Sequence, residues 1–433
     1  MRWKGVIGMS EVMQIGGVDL RRLAQKVGTP FLIYDETKVE QKLQAFRHHF
    51  VHPEFETQVV YAGKAFLCGK IVRMVHEAGC GLDVVSGGEL AVALHAGMPA
   101  GHIVMHGNNK TPQELTAALE AGVGLIVLDN VQECRALAEL AQRLQRHVNV
   151  LLRINPGVEA HTHEYIVTAH IDSKFGVSAA DTKGWEAILK TVEASPWLHF
   201  RGLHAHIGSQ IFEPQAFEAE IEALGALSKE MQEKGYSVGV WDLGGGFAAR
   251  YTEEDAPIPV EQVCKTILNA CCAQKAALSL DVQKVMIEPG RSIVGEAGTT
   301  VYTVGWFKST PGKEYLFVDG GMADNIRPAL YQAKYDCTAV DAPNTPADHT
   351  YTVAGKCCES GDILIEQAHL PEMKTGDLLA VHTTGAYCYS MSSNYNHLGR
   401  VPVVFAKDGR AELVIRRETA QDFVRLECQE ALE

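Results

Sequence analysis

The sequence predicts an α/β fold in which a TIM (β/α)8 barrel is followed by a mainly β domain of the sandwich or barrel type. From residue 57 to about residue 294, short β-branched runs alternate with longer segments of helical spacing, which is typical of βα units around a parallel sheet. After residue 295 the pattern changes to period-two strands punctuated by Gly and Pro. Two successive architectures therefore divide the 433 residues.

Eight strands are predicted for the first architecture, and eight is the number that closes a TIM barrel. An open doubly wound sheet is the alternative. Residues 70–77 and 89–94 have amphipathic helical patterns, each followed by an Ala-Gly pair that ends the helix. The predicted strands span residues 59–62, 82–86, 103–106, 125–129, 150–155, 202–207, 238–243 and 285–288.

The predicted domains are an N-terminal segment (1–45), the barrel (46–295) and the C-terminal β domain (296–433). The first apolar run, residues 29–34, could pair with either sheet, and we assign its segment to the β domain. Within the C-terminal domain, residues 299–304 and 401–405 have strand patterns.

Charge and cysteine usage exclude several classes of partner. Lys and Arg total 39 against 53 Asp and Glu, a net charge of −14 that repels phosphate polymers and anionic lipid. We therefore expect no nucleic-acid partner and no membrane association. The start of the sequence lacks a signal-peptide pattern, and the eleven cysteines include no C-x-x-C pair. These features predict a cytoplasmic protein with free, mostly buried thiols.

Lys64 follows the first predicted barrel strand, where the active sites of such barrels lie. No acidic residue occurs between Gln58 and Arg73. A desolvated amine at this point would form imines readily, because burial lowers the pKa of lysine. The alternative is a solvated lysine in a loop.

Two further motifs follow the last barrel strands. Gly244, Gly245 and Gly246 come after strand seven, where backbone N–H groups can approach a phosphate; a flexible turn is the alternative. Glu288 ends strand eight with Arg291 three residues later, and a structural ion pair would also explain that spacing. Together with Lys64, these motifs supply the imine lysine, phosphate cradle and acidic ring-nitrogen partner that pyridoxal 5'-phosphate requires.

Histidine pairs raise the question of a metal. His204 and His206 lie on one face of strand six, and His161 and His163 lie in a loop. A metal site in a barrel would also want inward carboxylates and further histidines at other strand ends, whereas the predicted rim offers Lys64, glycines and an arginine. We therefore predict no metal, with His206 facing the barrel mouth as an aromatic or hydrogen-bonding group.

In combination and order, the motifs resemble those of the diaminopimelate decarboxylases, of the alanine-racemase-like (fold type III) class of pyridoxal-phosphate enzymes. The resemblance covers nearly the whole chain. Taken alone, Cys358 would be an inert buried thiol and Tyr387 a packed aromatic. The matching motifs are residues 61–66, 82–90, 173–176, 204–210, 244–247, 288–291, 324–331, 358–360 and 385–387.

The resemblance implies a role for each matching residue. Lys64 would hold the cofactor covalently as the internal aldimine, His206 would stack on its ring, and Cys358 would donate a proton. The Cys358-Glu359 loop would reach into the barrel of a partner subunit, so the active sites of a homodimer would be shared. Cofactor contacts would come from Lys64, Asp83, His206, Ser209, Gly244, Gly245, Gly246, Glu288, Gly290, Arg291 and Tyr387. Substrate contacts would come from Arg291, Arg327, Tyr331, Glu359 and Tyr387.

The implied reaction is decarboxylation of meso-2,6-diaminopimelate to L-lysine and CO2, the last step of lysine biosynthesis. Glu288 favours a protonated ring nitrogen and hence decarboxylation over racemisation. Arginine suits the carboxylate of the distal amino-acid head, and Glu359 suits its ammonium. Whether Arg291 or Arg327 meets that carboxylate stays open. A relative acting on carboxynorspermidine or ornithine, and a non-catalytic carrier of the cofactor, are the alternatives.

Three positions depart from the family pattern. Gly63 stands where Ser or another small residue is frequent, while Ala169 and Cys388 stand where Gly is usual. Ala169 and Cys388 could shift their loops, because any side chain reduces backbone freedom relative to glycine.

Overall fold

The computed structural model describes residues 12–158 and 173–430, so His161, His163 and Ala169 lie outside the described residues. Contacts divide the chain into two compact units. The first contains the described residues up to Val39, the segment Arg250–Asp255 and the chain from Val294 onward, and the second contains Glu40–Ala249 and Ala256–Ile293.

The segment Arg250–Asp255 belongs to the first unit although it falls inside the predicted barrel range of 46–295. Its backbone explains the difference. The Arg250 N–H donates to the Glu296 carboxylate at 3.3 Å, and the Arg250 carbonyl accepts from the Thr383 hydroxyl at 2.9 Å.

The N-terminal elements precede the barrel strands. Asp19 caps the first helix, since its side chain accepts from the Arg22 N–H at 2.9 Å. These elements are β1 (Gln14–Ile15), β2 (Val18–Asp19), α1 (Leu20–Val27), β3 (Phe31–Asp35) and α2 (Glu36–His49).

The second unit contains the parallel barrel. Its strands are β4 (Glu56–Ala62), β5 (Gly81–Val84), β6 (Ile103–Met105), β7 (Leu125–Leu128), β8 (Val148–Asn155), the short β9 (Val177–Ser178), β10 (Leu198–Ala205), β11 (Val240–Asp242) and β12 (Lys284–Ile287). The barrel closes because β12 pairs with β4 and β10 pairs with β8, while β9 extends from β8. All eight predicted strands are present, so the predicted barrel is confirmed and the open doubly wound sheet is wrong.

Helices follow the barrel strands in the alternation expected of βα units. The predicted helices at 70–77 and 89–94 lie within the first two. Ser86 caps the second, because its hydroxyl accepts from the Glu89 N–H at 3.2 Å. The helices are α3 (Gly69–Glu77), α4 (Gly87–His95), α5 (Pro112–Ala121), α6 (Val131–Leu144), α7 (Thr182–Glu193), α8 (Gln215–Glu233), α9 (Val260–Leu278) and α10 (Arg291–Val294).

The first unit is built on a mainly antiparallel β sheet. The strand β3 pairs with two strands of this sheet, antiparallel to Gly298–Ser309 and parallel to Val403–Lys407. Residues 29–34, which the sequence could place in either unit, thus contribute a strand here. The remaining elements are β13 (Gly298–Ser309), β14 (Glu314–Val318), α11 (Arg327–Tyr331), β15 (Cys337–Ala339), β16 (His349–Ala354), β17 (Ile363–Leu370), β18 (Leu378–Val381), β19 (Val403–Lys407), β20 (Arg410–Ile415) and α12 (Ala420–Val424).

Two sequence-based expectations concern the chain as a whole. All eleven cysteines are free thiols, and seven of them are buried, which confirms the prediction for the thiols. Within residues 12–158 and 173–430, no helix combines the length and the apolar character needed to cross a bilayer.

Candidate active site

The predicted catalytic lysine lies just past the carboxyl end of β4, in the turn Gly63–Ala65. Burial raises the pKa of Asp83 and the charge of Lys64 opposes that shift, whereas burial and the charge of Lys64 both lower the pKa of His206. A Cβ on Gly63 would come within 2.7 Å of the Asp83 carbonyl oxygen. The departure at Gly63 therefore has a steric cause, because the turn that presents Lys64 has no room for a side chain.

Glu288, directly after β12, is buried between two histidines. Its Oε1 lies 2.7 Å from His106 Nε2, and its Oε2 lies 3.3 Å from His204 Nε2. His106 follows β6, and His204 lies on β10. His106 ends the predicted strand 103–106, and nothing in the sequence marked its contact with Glu288.

Among the buried carboxyl groups of this cluster, Glu288 has a lowered pKa, whereas Asp83 and Asp242 have raised pKa values. Burial alone would raise the pKa of Glu288, but His106 and His204 hold it well below its usual value. Burial raises the pKa of Asp83, and burial together with the nearby Glu288 raises that of Asp242. Burial lowers the pKa of His204 to about 3. The cluster thus combines an ionised Glu288 with a neutral His204 that donates to it.

The glycine loop after β11 adopts a conformation that side chains would disturb. Gly244 and Gly246 have φ values of +58° and +105°, in the region that favours glycine. A Cβ on Gly245 would come within 2.4 Å of the Glu288 carbonyl oxygen. The Gly245 N–H donates to His206 Nδ1 at 3.2 Å, and burial keeps the pKa of His206 well below its usual value. The loop therefore fixes a neutral His206 ring at the barrel mouth.

Two further predicted residues meet at the start of α10. The Arg291 guanidinium donates to the Ser209 hydroxyl from Nη2 at 2.8 Å and from Nε at 3.2 Å. A Cβ on the preceding Gly290 would lie 2.9 Å from the Ala62 side chain. The ends of β12 and β4 thus approach each other closely enough to require glycine.

The first unit holds a second group of predicted residues, centred on the buried Arg327. Arg327 Nε donates to the Tyr335 hydroxyl at 2.8 Å. The guanidinium carbon lies 5.2, 5.6 and 6.0 Å from the ring centroids of Tyr251, Tyr331 and Tyr387. Tyr331 and Tyr387 were predicted as substrate contacts. Tyr251 and Tyr335 were missed, since no motif marks these tyrosines in the sequence.

Cys358 and Glu359 lie in an exposed loop with an anchored backbone. The Cys358 N–H donates to Asn396 Oδ1 at 2.6 Å. The Cys357 and Met322 N–H groups donate to the two oxygens of the buried Asp362 carboxylate at 2.7 and 2.6 Å. Cys358 is exposed, so the alternative of a buried thiol is wrong at this position.

The rim residues fit a pyridoxal phosphate. An ionised, buried carboxylate suits a protonated ring nitrogen, and the glycine loop is a cradle that any Cβ would fill. The ligand atoms of His106, His204, Asp242 and Glu288 also lie within 4.8 Å of one another, a spacing that could hold a cation. Each Glu288 oxygen lies within hydrogen-bond distance of a histidine nitrogen, whereas Asp242 Oδ2 and His204 Nδ1 are buried without a hydrogen-bond partner among the described residues. His206, which the sequence analysis considered with His204 as a possible metal-binding pair, is not in this cluster. Its Nδ1 accepts a hydrogen bond from the Gly245 N–H.

Comparisons with known proteins show which family the chain is similar to. Residues 36–295 match the family model of the pyridoxal-dependent decarboxylases, pyridoxal binding domain. Diaminopimelate decarboxylase of Bacillus subtilis is 46% identical over 417 residues, which cover 96% of this chain and 95% of that protein. The diaminopimelate decarboxylase structure from M. jannaschii has a TM-score of 0.90 at 31% identity and covers 98% of both chains. The Helicobacter pylori enzyme, solved with L-lysine, has a TM-score of 0.84 at 31% identity and covers 94% of this chain and 98% of that one.

Proposed function

The chain belongs to the diaminopimelate decarboxylases, within the wider family of pyridoxal-dependent decarboxylases, and we propose that it converts meso-2,6-diaminopimelate to L-lysine and CO2. The observation that carries this proposal is the Glu288 carboxylate, which His106 and His204 hold ionised at the barrel mouth. The reaction is the last step of lysine biosynthesis.

When bound, pyridoxal phosphate supplies an electron sink for the electron pair that the departing carboxyl group leaves behind. Glu288 favours a proton on the ring nitrogen, which makes that sink effective. A cationic residue at this point would repel the proton and favour racemisation. The negative charge of Glu288 therefore supports decarboxylation.

The other rim residues would attach and orient the cofactor. Lys64 would provide the covalent link, and Gly245 and Gly290, where a Cβ would clash, would line the phosphate site. His206 would stack on the ring, with its own plane fixed by the Gly245 N–H. We propose the same binding role for Asp83, Ser209, Gly244, Gly246, Arg291 and Tyr387.

The distal head of the substrate carries a carboxylate and an ammonium. We propose that Arg327 binds the carboxylate, because no acceptor for its two Nη groups occurs among residues 12–158 and 173–430. Arg291 already donates to Ser209 from two of its nitrogens. Glu359 would bind the ammonium, and Tyr331 and Tyr387 would line the site.

We propose a homodimer with shared active sites. Cys358 and Glu359 are exposed on the surface of the isolated chain, and the anchored backbone beneath them suits presentation to a second copy. The Cys358 thiol would then deliver a proton to the substrate carbon after CO2 departs. We also propose a cytoplasmic location, where a reducing environment preserves the eleven free thiols.

The proposal is tested by CO2 release from the purified, cofactor-loaded enzyme. Diaminopimelate, ornithine and carboxynorspermidine are supplied separately, and we expect release from diaminopimelate alone. Release from ornithine but not diaminopimelate would contradict the substrate assignment. Bound cofactor without release from any of the three would instead indicate the non-catalytic carrier.

A further inference from the structure

We propose that Tyr335, supported by Cys388, is a positioning residue that decides which edge of the Arg327 guanidinium faces a ligand carboxylate. This inference rests on the proposed function, because it takes Arg327 as the group that binds the carboxylate retained in L-lysine. Neither Tyr335 nor Cys388 was expected to touch the substrate.

The surroundings of Arg327 stabilise its charge but leave donors unused. The residue is 4% exposed, and a buried cation normally pairs with a carboxylate. In the described part of the chain, its neighbours are instead the tyrosine rings and the Tyr335 hydroxyl. Aromatic faces attract a cation without accepting its N–H bonds, so both Nη groups stay available for an anionic ligand.

Tyr335 reaches Arg327 because the chain reverses after α11. Gln332, which follows the helix, has a φ of +53° and turns the backbone, so the hydroxyl of Tyr335 meets the guanidinium from eight residues further along. The hydroxyl accepts from Nε. A carboxylate can pair with a guanidinium either through Nε and one Nη or through both Nη groups. With Nε occupied, only the edge with both Nη groups remains.

Cys388 completes the chain of hydrogen bonds behind Arg327. The Tyr335 oxygen lies 3.6 Å from Cys388 Sγ, and that sulfur lies 3.7 Å from the Ala386 carbonyl oxygen. One direction satisfies every donor: Arg327 donates to Tyr335, Tyr335 to Cys388, and Cys388 to Ala386. Cys388, which stands where glycine is usual in the family, therefore has a function. A glycine at this position would not provide the sulfur that accepts from the Tyr335 hydroxyl.

The substitution Tyr335→Phe tests the inference, because it removes the hydroxyl and keeps the ring. Without this hydrogen bond the guanidinium can rotate, so either its Nε edge or its edge with both Nη groups can face the ligand. We expect about tenfold weaker binding of L-lysine, the order of one charge-assisted hydrogen bond. Cadaverine, which is lysine without the carboxylate, should bind as in the wild type.

The measurement is titration of the full-length, cofactor-loaded enzyme with each ligand, followed by cofactor absorbance. Tyr351→Phe is the matched control, because Tyr351 is also buried in this unit and its hydroxyl accepts a backbone N–H from Met373 at 3.2 Å. We expect this control to leave lysine affinity unchanged. Equal weakening of lysine and cadaverine by Tyr335→Phe would overturn the inference, since it would indicate general disruption.

A second variant shows whether Tyr335 acts through Arg327. In an Arg327→Gln background, Tyr335→Phe should cause no further loss of lysine affinity, because the group it positions is gone. Additive losses would contradict the inference. If wild-type enzyme neither binds lysine nor releases CO2 from diaminopimelate, the proposed function fails, and that result is distinct from a failure of the role of Tyr335.

Discussion

His106 Nε2 lies 2.7 Å from Glu288 Oε1, and this contact joins the ends of two barrel strands through side chains that are both buried. The pair lowers the pKa of Glu288 against the effect of burial. A carboxylate with a lowered pKa stays ionised as the pH falls, until the pH passes through that low pKa. Activity that depends on the ionised form is therefore protected on the acid side.

Replacing His106 should remove that protection. In His106→Leu, burial is no longer opposed by this histidine, so the pKa of Glu288 rises and the acid limb of the pH–rate profile moves to higher pH. We also expect about tenfold lower kcat at neutral pH, from the loss of a hydrogen bond to a charged group. His106→Gln, which keeps an N–H donor, should shift the limb less. An unchanged acid limb in His106→Leu would contradict this role.

The glycine loop makes a prediction about cofactor affinity. In Gly245→Ala the new Cβ would meet the Glu288 carbonyl oxygen at 2.4 Å, so the loop and the Glu288 backbone must move apart. We expect the apoenzyme to bind pyridoxal phosphate at least about tenfold more weakly, measured by fluorescence titration. Gly239→Ala is the control, because its Cβ meets its nearest neighbour at 3.6 Å. Equal affinity in both variants would be inconsistent with a tight cradle.

The exposed thiol predicts complementation between subunits. Cys358→Ala should slow turnover while cofactor stays bound, whereas Cys428→Ala, at another exposed cysteine, should have no effect. If each site takes Lys64 from one copy and Cys358 from the other, refolding Lys64→Ala with Cys358→Ala should restore about a quarter of wild-type activity through mixed dimers. Mixed dimers without any restored activity would rule out shared sites.

The cluster of His106, His204, Asp242 and Glu288 is tested for a metal by chelation. We expect dialysis against EDTA to leave kcat and the cofactor spectrum unchanged, because both Glu288 oxygens already have histidine partners. Elemental analysis of the same sample should find less than one metal ion per chain. Activity that disappears on chelation and returns with Zn2+ would show that these four residues hold a metal.

Local sequence patterns predicted the barrel well, since each strand and helix is set by its own periodicity and end signals. They could not predict contacts that depend on closure of the barrel. His106 and Glu288 are 182 residues apart, and their pairing follows only from the order in which β12, β4, β5 and β6 lie side by side. For the same reason, the sequence did not decide which sheet β3 joins. The strands that pair with β3 come more than 260 residues later in the chain.

The motifs mark candidate site residues but not the side chains that surround them. The motifs named Lys64, Glu288 and Arg327, but the residues that orient them carry no motif of their own. Tyr335 reaches Arg327 only because Gln332 reverses the chain, and that conformation is not recognisable from one glutamine. The side chains that orient the motif residues could therefore be identified only from the three-dimensional structure.

The most direct measurement is the visible absorption spectrum of the purified enzyme with pyridoxal phosphate, recorded for the wild type and for Lys64→Ala. We expect a band from lysine-linked cofactor in the wild type, its loss in Lys64→Ala, and its retention in Lys70→Ala, where the lysine lies in α3. A band that persists in Lys64→Ala, or a wild type without any band, would contradict the assignment of Lys64 as the cofactor lysine.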